Sequence, residues 1–349
     1  MNILVVTVQV PFIRGGAEIL AESLVQALKD HGHSAEIVAL PFQPYPSQKT
    51  LDLMFTFRLL DMSHFSNRDI DLIIPLKFPA YFNEHPNKVA WLLHQHRDVY
   101  DFWENKLSLL LHKPEGLQIK ETIINADLQA LKECRKICSI SQNVSKRLKK
   151  YNDLESIVLY HPPKNSHKFH CEEAQRYFFF PSRLNEIKRQ HLVLKAISET
   201  HYPVKVVFAG SSDNGLYEDE LQKMVSKLNI GDRAIFVGQI SEAEKIKYYA
   251  ESMGIIYAPF DEDYGYVTLE SMLSSKPTIT CNDSGGSLEF IEHKETGIVT
   301  QSDPLALAQG MDELWENHRL ASHLGKNARK RYEELDISWT NVVNKLTDF

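Results

Sequence analysis

The sequence predicts an α/β protein built from two Rossmann-like domains that face each other across a cleft. Its 349 residues correspond to about two domains at roughly 150 residues per domain. Aliphatic strand patterns alternate with amphipathic helix patterns in two separate stretches, which is typical of doubly wound parallel sheets. Between the stretches, residues 160–176 contain prolines and many polar side chains with little periodicity, so they form the predicted linker.

The first stretch begins with a buried strand. Ile3–Val6 is a continuous aliphatic run, as expected for a strand that is covered on both faces. After a loop that contains Gly15 and Gly16, apolar residues from Leu20 to Leu28 repeat on one face of a predicted helix. Further strands are predicted at residues 35–40, 71–76, 88–93 and 136–140.

The second stretch repeats this alternation after the linker. Strands are predicted at residues 177–180, 204–209, 234–237, 254–258 and 278–280. Helices are predicted near 188–200, 216–228, 241–250 and 266–274, with a terminal helical region from about 303. The predicted domains are 1–165 and 172–332.

Composition excludes several classes of protein. The 39 Lys and Arg residues against 46 Asp and Glu give a net charge of −7, which disfavours an extended nucleic-acid-binding surface, so we expect no nucleic-acid partner. Four cysteines without a C-x-x-C pair indicate reduced thiols. Residues 1–10 lack the basic residues of a signal peptide and are too short for a membrane anchor. We therefore expect a cytoplasmic protein.

The loop that contains Gly15 and Gly16 joins the first strand to the first helix. Glycine there allows the backbone to approach a ligand, and the helix N-terminus beyond it favours an anion. The loop is not G-x-G-x-x-G, which disfavours a nicotinamide-dependent dehydrogenase. A simple tight turn is the alternative interpretation.

The segment Pro259–Glu270 is the strongest local signal. It follows a predicted strand and leads into a predicted helix, so it lies at the carboxyl edge of a parallel sheet, where such folds bind ligands. Glu262 lies in the loop and Glu270 lies about one turn into the helix, so the two carboxylates could contact different parts of one elongated ligand. A solvated acidic loop with an unrelated surface glutamate is the alternative.

Several ordered blocks of the sequence are similar to one known family. The blocks are Gly15–Glu18, Pro181–Leu184 with Lys188 and Arg189, Phe208–Gly210, Phe236–Gly238, Pro259–Glu270, and Ser284–Gly286 with Glu289 and Thr296–Gly297. In this order they resemble the retaining glycosyltransferases of family 4 (glycosyl transferases group 1), which have the GT-B fold. The stretch from Phe178 to Val299 resembles the donor-binding domain of that family.

The resemblance implies a role for each matching position. Arg183 and Lys188 would neutralise a nucleotide diphosphate and stabilise the charge of the leaving group. Glu262 would bind hydroxyls of the transferred sugar, and Glu270 would bind the nucleotide ribose. The implied donor-binding residues are Gly15, Gly16, Gly210, Gly265, Tyr266, Val267 and Glu270. The resemblance implies neither a metal nor a cofactor, the donor substrate being a nucleotide diphosphate-sugar.

Two histidines follow the predicted strand at 88–93. The family commonly places a histidine at such a strand end, near the transferred sugar. His94 fits this place best and joins Arg183, Lys188 and Glu262 as an implied catalytic residue. His96 lies one alternation further along the chain and is a second candidate. A purely structural histidine is the alternative in both cases.

A basic run on a predicted helix bears on partners and localisation. Lys146, Arg147, Lys149 and Lys150 suit either a solvated helix face or contact with anionic lipid head groups. Peripheral contact with the inner face of the membrane is therefore an open alternative to a purely cytoplasmic protein.

Taken together, the resemblance implies a retaining, metal-independent glycosyltransferase. It would move a sugar from a nucleotide diphosphate-sugar to a glycan or lipid-linked acceptor, in the assembly of a surface polysaccharide. The helix at about 333–349 would pack back on the N-terminal domain. A sugar-nucleotide epimerase or phosphorylase of the same fold, and a catalytically silent nucleotide-sugar-binding subunit, are the alternatives. Residues 43–85 match no chemical motif.

Overall fold

The computed structural model describes residues 1–43, 47–103, 105, 108–212 and 215–349. They form two compact units, of which one comprises Met1–Lys164 with Ser338–Phe349 and the other comprises Asn165–Ile337. Parallel strands alternate with helices in both, so the predicted α/β class is confirmed. Within the described ranges, no helix combines the length and the apolar character that crossing a membrane requires.

The first unit is built around parallel strands, of which Asn2–Gln9, Leu72–Pro75 and Val89–Leu92 are almost wholly buried. Its strands are β1 (Asn2–Gln9), β2 (Ser34–Pro41), β3 (His64–Phe65), β4 (Arg68–Asp69), β5 (Leu72–Pro75), β6 (Val89–Leu92), β7 (Lys136–Ser139) and β8 (Ile157–Val158). The pairing order is β2-β1-β5, and a single parallel bridge between Ile73 and Lys88 leads on to β6-β7-β8. β3 and β4 form a separate antiparallel hairpin.

Helices connect these strands. They are α1 (Gly16–Asp30), α2 (Gln48–Leu59), α3 (Gly116–Lys132) and α4 (Gln142–Asn152). α1 buries its apolar face through Leu20, Leu24 and Leu28, as its periodicity predicts. α4 begins where the side chain of Ser141 accepts a hydrogen bond from the Val144 N–H, a typical N-cap.

The second unit has a parallel sheet in the order β11-β10-β9-β12-β13-β14. Its strands are β9 (Phe178–Pro181), β10 (Val206–Ala209), β11 (Ala234–Gly238), β12 (Gly254–Ile256), β13 (Thr278–Cys281) and β14 (Gly297–Thr300). Its helices are α5 (Gln190–Glu199), α6 (Leu216–Leu228), α7 (Glu242–Glu251), α8 (Tyr266–Leu273), α9 (Pro304–Glu316) and α10 (His318–Glu334). The sequence did not predict β14, which is short and begins with glycine.

Both faces of this sheet are covered, which explains its continuous apolar strands. Along β9, Phe178 and Phe180 join one apolar cluster, while Phe179 joins a second cluster on the other side. The second cluster includes Tyr249 and Tyr257, whose aromatic rings are fully buried.

The last helix, α11 (Trp339–Thr347), is part of the first unit. Its Trp339 ring meets the rings of Trp91 and His161 with centroids 6.2 and 5.9 Å away. His161 and Trp91 also meet each other edge to face at 5.2 Å. These ring contacts attach α11 to the end of β6 and to the chain beyond β8.

Candidate active site

A loop at the carboxyl edge of the second unit's sheet leads from β12 into α8. Gly265 precedes α8 with a φ of +88°, and a Cβ atom there would lie 2.5 Å from Ser287 Oγ. Glycine satisfies both constraints because it has no side chain. Parallel sheets bind ligands at this edge, and the N–H groups of the first turn of α8 make its N-terminus favourable for an anion.

Lys188 and Glu262 form an ion pair at this edge. The Lys188 ammonium also donates to the Tyr257 hydroxyl at 3.0 Å. The backbone N–H of Lys188 donates to the side-chain oxygen of Asn185 at 3.0 Å. Burial, reinforced by the charge of Glu262, raises the pKa of the Tyr257 phenol well above its usual value. The side chains of Lys188 and Glu262 stay 17% and 20% exposed, so a ligand from solvent can reach them.

Glu270, one turn into α8, forms a second ion pair at this edge, with Lys245. The Lys245 ammonium donates to its Oε1 at 2.8 Å, and the Tyr249 hydroxyl donates to its Oε2 at 2.8 Å. Burial alone would lower the pKa of Lys245, but the charges of Glu270 and Glu242 outweigh it and raise that pKa. An ionised carboxylate offers about four acceptor positions, so these two donors leave Glu270 able to bind a ligand hydroxyl.

The glycine block after β13 holds the backbone of the acidic loop. The Gly286 N–H donates to the Glu262 carbonyl at 2.7 Å, and the Glu262 N–H donates to the Ser284 carbonyl at 3.3 Å. A Cβ atom at Gly286 would lie 2.6 Å from the Asp263 carbonyl oxygen. The block therefore acts on the loop that carries Glu262.

Arg189 is next to Lys188 in sequence but has a different role. Its guanidinium binds both carboxylate oxygens of Asp283, and it donates to the carbonyls of Ala258 at 2.7 Å and Pro259 at 2.6 Å. Burial opposes ionisation of Asp283, but the hydrogen bonds and charge of Arg189 lower the pKa of that carboxyl. Arg189 therefore fixes the start of the acidic loop.

Arg183 lies on the same edge, after β9. Its side chain is exposed, and its carbonyl accepts a hydrogen bond from Gln190 Nε2 at 2.9 Å. Gly210, at the end of β10, has a φ of +139°, and a Cβ atom there would lie 2.1 Å from the Ser182 carbonyl oxygen. Gly210 thus allows the end of β10 to approach the turn that carries Arg183.

We call the charged groups around the N-terminus of α8 the α8 site; they are Lys188, Lys245, Glu262 and Glu270. The sheet edge carries all the site residues that the sequence predicted for this unit, namely Arg183, Lys188, Gly210, Glu262, Gly265, Tyr266, Val267 and Glu270. Sequence reasoning missed Lys245, Tyr249 and Tyr257. The spacing of Lys245 and Tyr249 was an available signal, since residues four apart share one face of a helix.

In the first unit, the N-terminus of α1 already holds a carboxylate. The Gly15 N–H donates to Glu18 Oε2 at 2.8 Å, and Gly16 is the first residue of the helix. The same carboxylate lies 3.7 Å from the Lys77 ammonium. Burial lowers the pKa of Lys77, although the charge of Glu18 acts in the opposite direction. The predicted role of Gly15 and Gly16 in donor binding stays a prediction, because Glu18 occupies part of the position expected for an anion.

The two candidate histidines have different surroundings. His94 Nδ1 lies 2.6 Å from the carbonyl of Gln95. His96 stacks on Phe78 with ring centroids 4.7 Å apart and meets the edge of Phe42 at 6.4 Å. Burial, with a smaller effect from His94, lowers the pKa of His96 to about 4, so its imidazole is neutral near pH 7. The catalytic role of His94 stays a prediction.

The basic run on α4 is less cationic than its sequence indicates. Arg147 is buried and donates to Asp101 at 3.2 Å. Lys149 pairs with Asp153 at 2.7 Å and with Glu155 at 3.0 Å. These acidic partners neutralise part of the positive charge that the sequence predicted for contact with anionic lipid.

Most of the second unit matches the model of one known protein family. Residues 163–331 match the family described as Glycosyl transferases group 1. This part of the chain is similar to the group 1 glycosyl transferases. The predicted resemblance is confirmed at this level, and the α8 site lies wholly within the matched residues.

Relatives and solved structures extend this comparison. O-antigen chain mannosyltransferase C of Escherichia coli is 24% identical over 202 residues, which cover 55% of this chain and 53% of that protein. The chain spans about half or less of the length of the first curated relatives that it matches. Sucrose-phosphate synthase from Thermosynechococcus elongatus has a TM-score of 0.80 at 16% identity, covering 99% of this chain and 97% of that chain.

A second solved structure is the Anabaena protein HepE in complex with UDP-glucose. It has a TM-score of 0.71 at 16% identity and covers 99% of this chain and 98% of that chain. At such low identities these structures establish the fold alone. The chain has the GT-B fold, as predicted.

Proposed function

We propose that this chain is a retaining glycosyltransferase that moves a sugar from a nucleotide diphosphate-sugar to a glycan or glycolipid acceptor, in surface polysaccharide assembly. The observation that carries the proposal is the pairing of cations with carboxylates in the α8 site, Lys188 with Glu262 and Lys245 with Glu270. A nucleotide-sugar presents anionic oxygens and hydroxyls together, so it needs both kinds of partner. The name of the O-antigen relative and the UDP-glucose complex of HepE support this choice.

The cations and the helix N-terminus are assigned to the diphosphate. Lys188 shares its hydrogen bonds between Glu262 and Tyr257, and an arriving phosphate oxygen would take over part of this bonding. Arg183 adds a second positive charge, and the N–H groups at the start of α8 add hydrogen bonds. These groups stabilise the negative charge that grows on the leaving nucleoside diphosphate.

The carboxylates are assigned to hydroxyl groups. Glu270 is nearly buried and already oriented by two donors, which suits a fixed contact with the nucleotide ribose. Glu262 lies in the loop and is more exposed, which suits the transferred sugar. A carboxylate is a strong acceptor for both, because a charge-assisted hydrogen bond is stronger than a neutral one.

The proposed reaction needs no protein nucleophile. A phosphate oxygen of the donor takes the proton of the acceptor hydroxyl while the bond between the anomeric carbon and the phosphate oxygen breaks. The acceptor oxygen attacks from the same face, so the anomeric configuration is retained. The proposal includes no metal, because Lys188 and Arg183 supply the positive charge that the leaving group requires.

The test uses calorimetry with UDP and GDP, and with UDP-glucose and GDP-mannose as full donors. Glu270→Ala should weaken nucleoside diphosphate and full donor alike, whereas Glu262→Ala should weaken only the full donor. Each loss should be about 10- to 150-fold, since a hydrogen bond to a charged group contributes about 1.5–3 kcal/mol. Arg183→Ala and Lys188→Ala should lower turnover by about 100-fold or more.

Glu220→Ala, an exposed glutamate on α6, is the matched control and should change nothing. Equal losses for both site variants on bare nucleoside diphosphate would show that the sugar contact is wrongly assigned. Conversion of the donor's sugar without an acceptor would favour an epimerase. Tight nucleotide binding without any turnover would favour a silent binding subunit.

A further inference from the structure

Two buried phenols lie directly beneath the α8 site. Tyr249 on α7 and Tyr257 after β12 have their rings in the same apolar cluster, and both residues are essentially inaccessible to solvent. A hydroxyl in such surroundings requires a polar partner, because a buried hydroxyl that makes no hydrogen bond destabilises the folded state by about 1–3 kcal/mol. Both hydroxyls find that partner among the charged groups of the α8 site.

Tyr249 serves the ribose end of the proposed site. Its hydroxyl donates to Glu270 Oε2 at 2.8 Å, while its contact with the Val267 carbonyl is longer, at 3.4 Å. Lys245 holds the other oxygen of the same carboxylate at 2.8 Å. With one donor on each oxygen, the plane of the Glu270 carboxylate has a defined direction.

Tyr257 serves the phosphate and sugar end. Its hydroxyl accepts a hydrogen bond from the Lys188 ammonium at 3.0 Å, and Lys188 in turn is paired with Glu262. The Lys188 side chain has many rotamers, so a fixed acceptor at the base of the site restricts where its ammonium can lie. Tyr257 thereby limits the positions of the Lys188–Glu262 pair.

We propose that Tyr249 and Tyr257 are positioning residues of the α8 site, Tyr249 for Glu270 and Tyr257 for the Lys188–Glu262 pair. The proposal rests on the proposed function for its kinetic consequences. Neither phenol needs to touch the substrate. Their effect comes from orienting charged groups before a ligand arrives, which reduces the entropy that binding and reaction would otherwise lose.

The two phenols should have separable effects when each is replaced by phenylalanine. Tyr249→Phe should weaken binding of UDP or GDP, whichever the wild-type protein binds, by about 3- to 20-fold, and should raise KM for the donor with a smaller change in kcat. Tyr257→Phe should leave nucleoside diphosphate affinity within about twofold and lower kcat by about 10- to 100-fold.

Tyr177→Phe is the matched control. Tyr177 belongs to the same apolar cluster, and its hydroxyl donates to the Tyr248 carbonyl at 3.1 Å, a backbone group outside the α8 site. It should change thermal stability in the manner of the other two variants but leave affinity, KM and kcat unchanged. If all three variants behave alike in these parameters, the phenols are structural and the proposal is overturned.

Crystal structures of the ligand-free variants give a readout that does not depend on the reaction. Glu270 should adopt another side-chain rotamer in Tyr249→Phe, and Lys188 should do so in Tyr257→Phe, while both keep their places in Tyr177→Phe. Unmoved side chains in the first two variants would refute positioning. If the wild-type protein binds no nucleoside diphosphate, the proposed function fails, and these structures still decide whether the phenols orient the charged groups.

Discussion

Arg189 binds both carboxylate oxygens of Asp283, at 2.7 and 2.8 Å, and thereby connects the chain after β13 to the start of the acidic loop. The same guanidinium donates to the carbonyls of Ala258 and Pro259. One side chain therefore holds the backbone after β12 and the chain after β13 together. A planar fork of donors is needed for this arrangement, and lysine cannot reproduce it.

Arg189→Lys should therefore destabilise the second unit although it conserves the charge. Loss of the bidentate contact and of carbonyl bonds in a largely buried place should lower the free energy of unfolding by about 1–3 kcal/mol. Urea unfolding followed by circular dichroism measures the change. Arg319→Lys, on the exposed surface of α10, is the control and should lie within about 0.5 kcal/mol of the wild type. Equal stability of the two variants would contradict the prediction.

Gly210→Ala should disturb the turn that carries Arg183. The new Cβ would lie 2.1 Å from the Ser182 carbonyl oxygen, and the φ of +139° is unfavourable for alanine. We expect a loss of about 2–4 kcal/mol in unfolding free energy together with lower turnover.

Gly231→Ala provides the comparison for this variant, because its Cβ would meet only Val225 Cγ1 at 3.9 Å. Melting temperature and donor turnover should both stay near the wild-type values in Gly231→Ala. An equally stable Gly210→Ala variant would show that the two strand ends can separate without cost.

Acid should destabilise the first unit through His161. Burial lowers the pKa of His161 to about 3, so its ring stays neutral in the folded chain while the unfolded chain binds a proton below about pH 6.5. The unfolded state therefore binds more protons, and this contribution to stability is lost as the pH falls from about 6.5 towards 3. At pH 4.5 the loss should be about 2–3 kcal/mol.

His161→Phe keeps an aromatic ring beside Trp91 and Trp339 but cannot titrate, so its stability should depend less on pH. Urea unfolding at pH 7.5 and 4.5, followed by tryptophan fluorescence, gives the two free energies. His112→Phe, at an exposed position, should retain the wild-type dependence. A wild-type dependence in His161→Phe would mean that other groups cause the acid sensitivity.

The parts of the fold with regular patterns were predictable from sequence. The aliphatic run of β1 and the periodic face of α1 lie where their spacing places them. α2 was missed because its apolar residues do not share one face: Met54 and Phe57 are buried, whereas Phe55 and Leu59 are exposed. Periodicity gives no signal for such a helix.

The candidate site was predictable in its location and only partly in its contacts. Strand–loop–helix order placed Glu262 and Glu270 at one sheet edge. Lys188 and Glu262 are 74 residues apart, and Lys245 and Glu270 are 25 apart, so their pairing depends on the order of strands in the sheet. The sequence Lys188–Arg189 also does not indicate that Lys188 pairs with Glu262 in the site while Arg189 binds backbone carbonyls.

The assignment of α11 to the first unit makes the second unit an insertion in the sequence of the first. The first unit therefore consists of two segments, Met1–Lys164 and Ser338–Phe349, that are far apart in the sequence. The ring contacts of Trp339 with Trp91 and His161 close a chain loop that contains the whole second unit. The entropic cost of closing such a loop grows only slowly with its length, so these contacts can join the two segments across an inserted unit of this size.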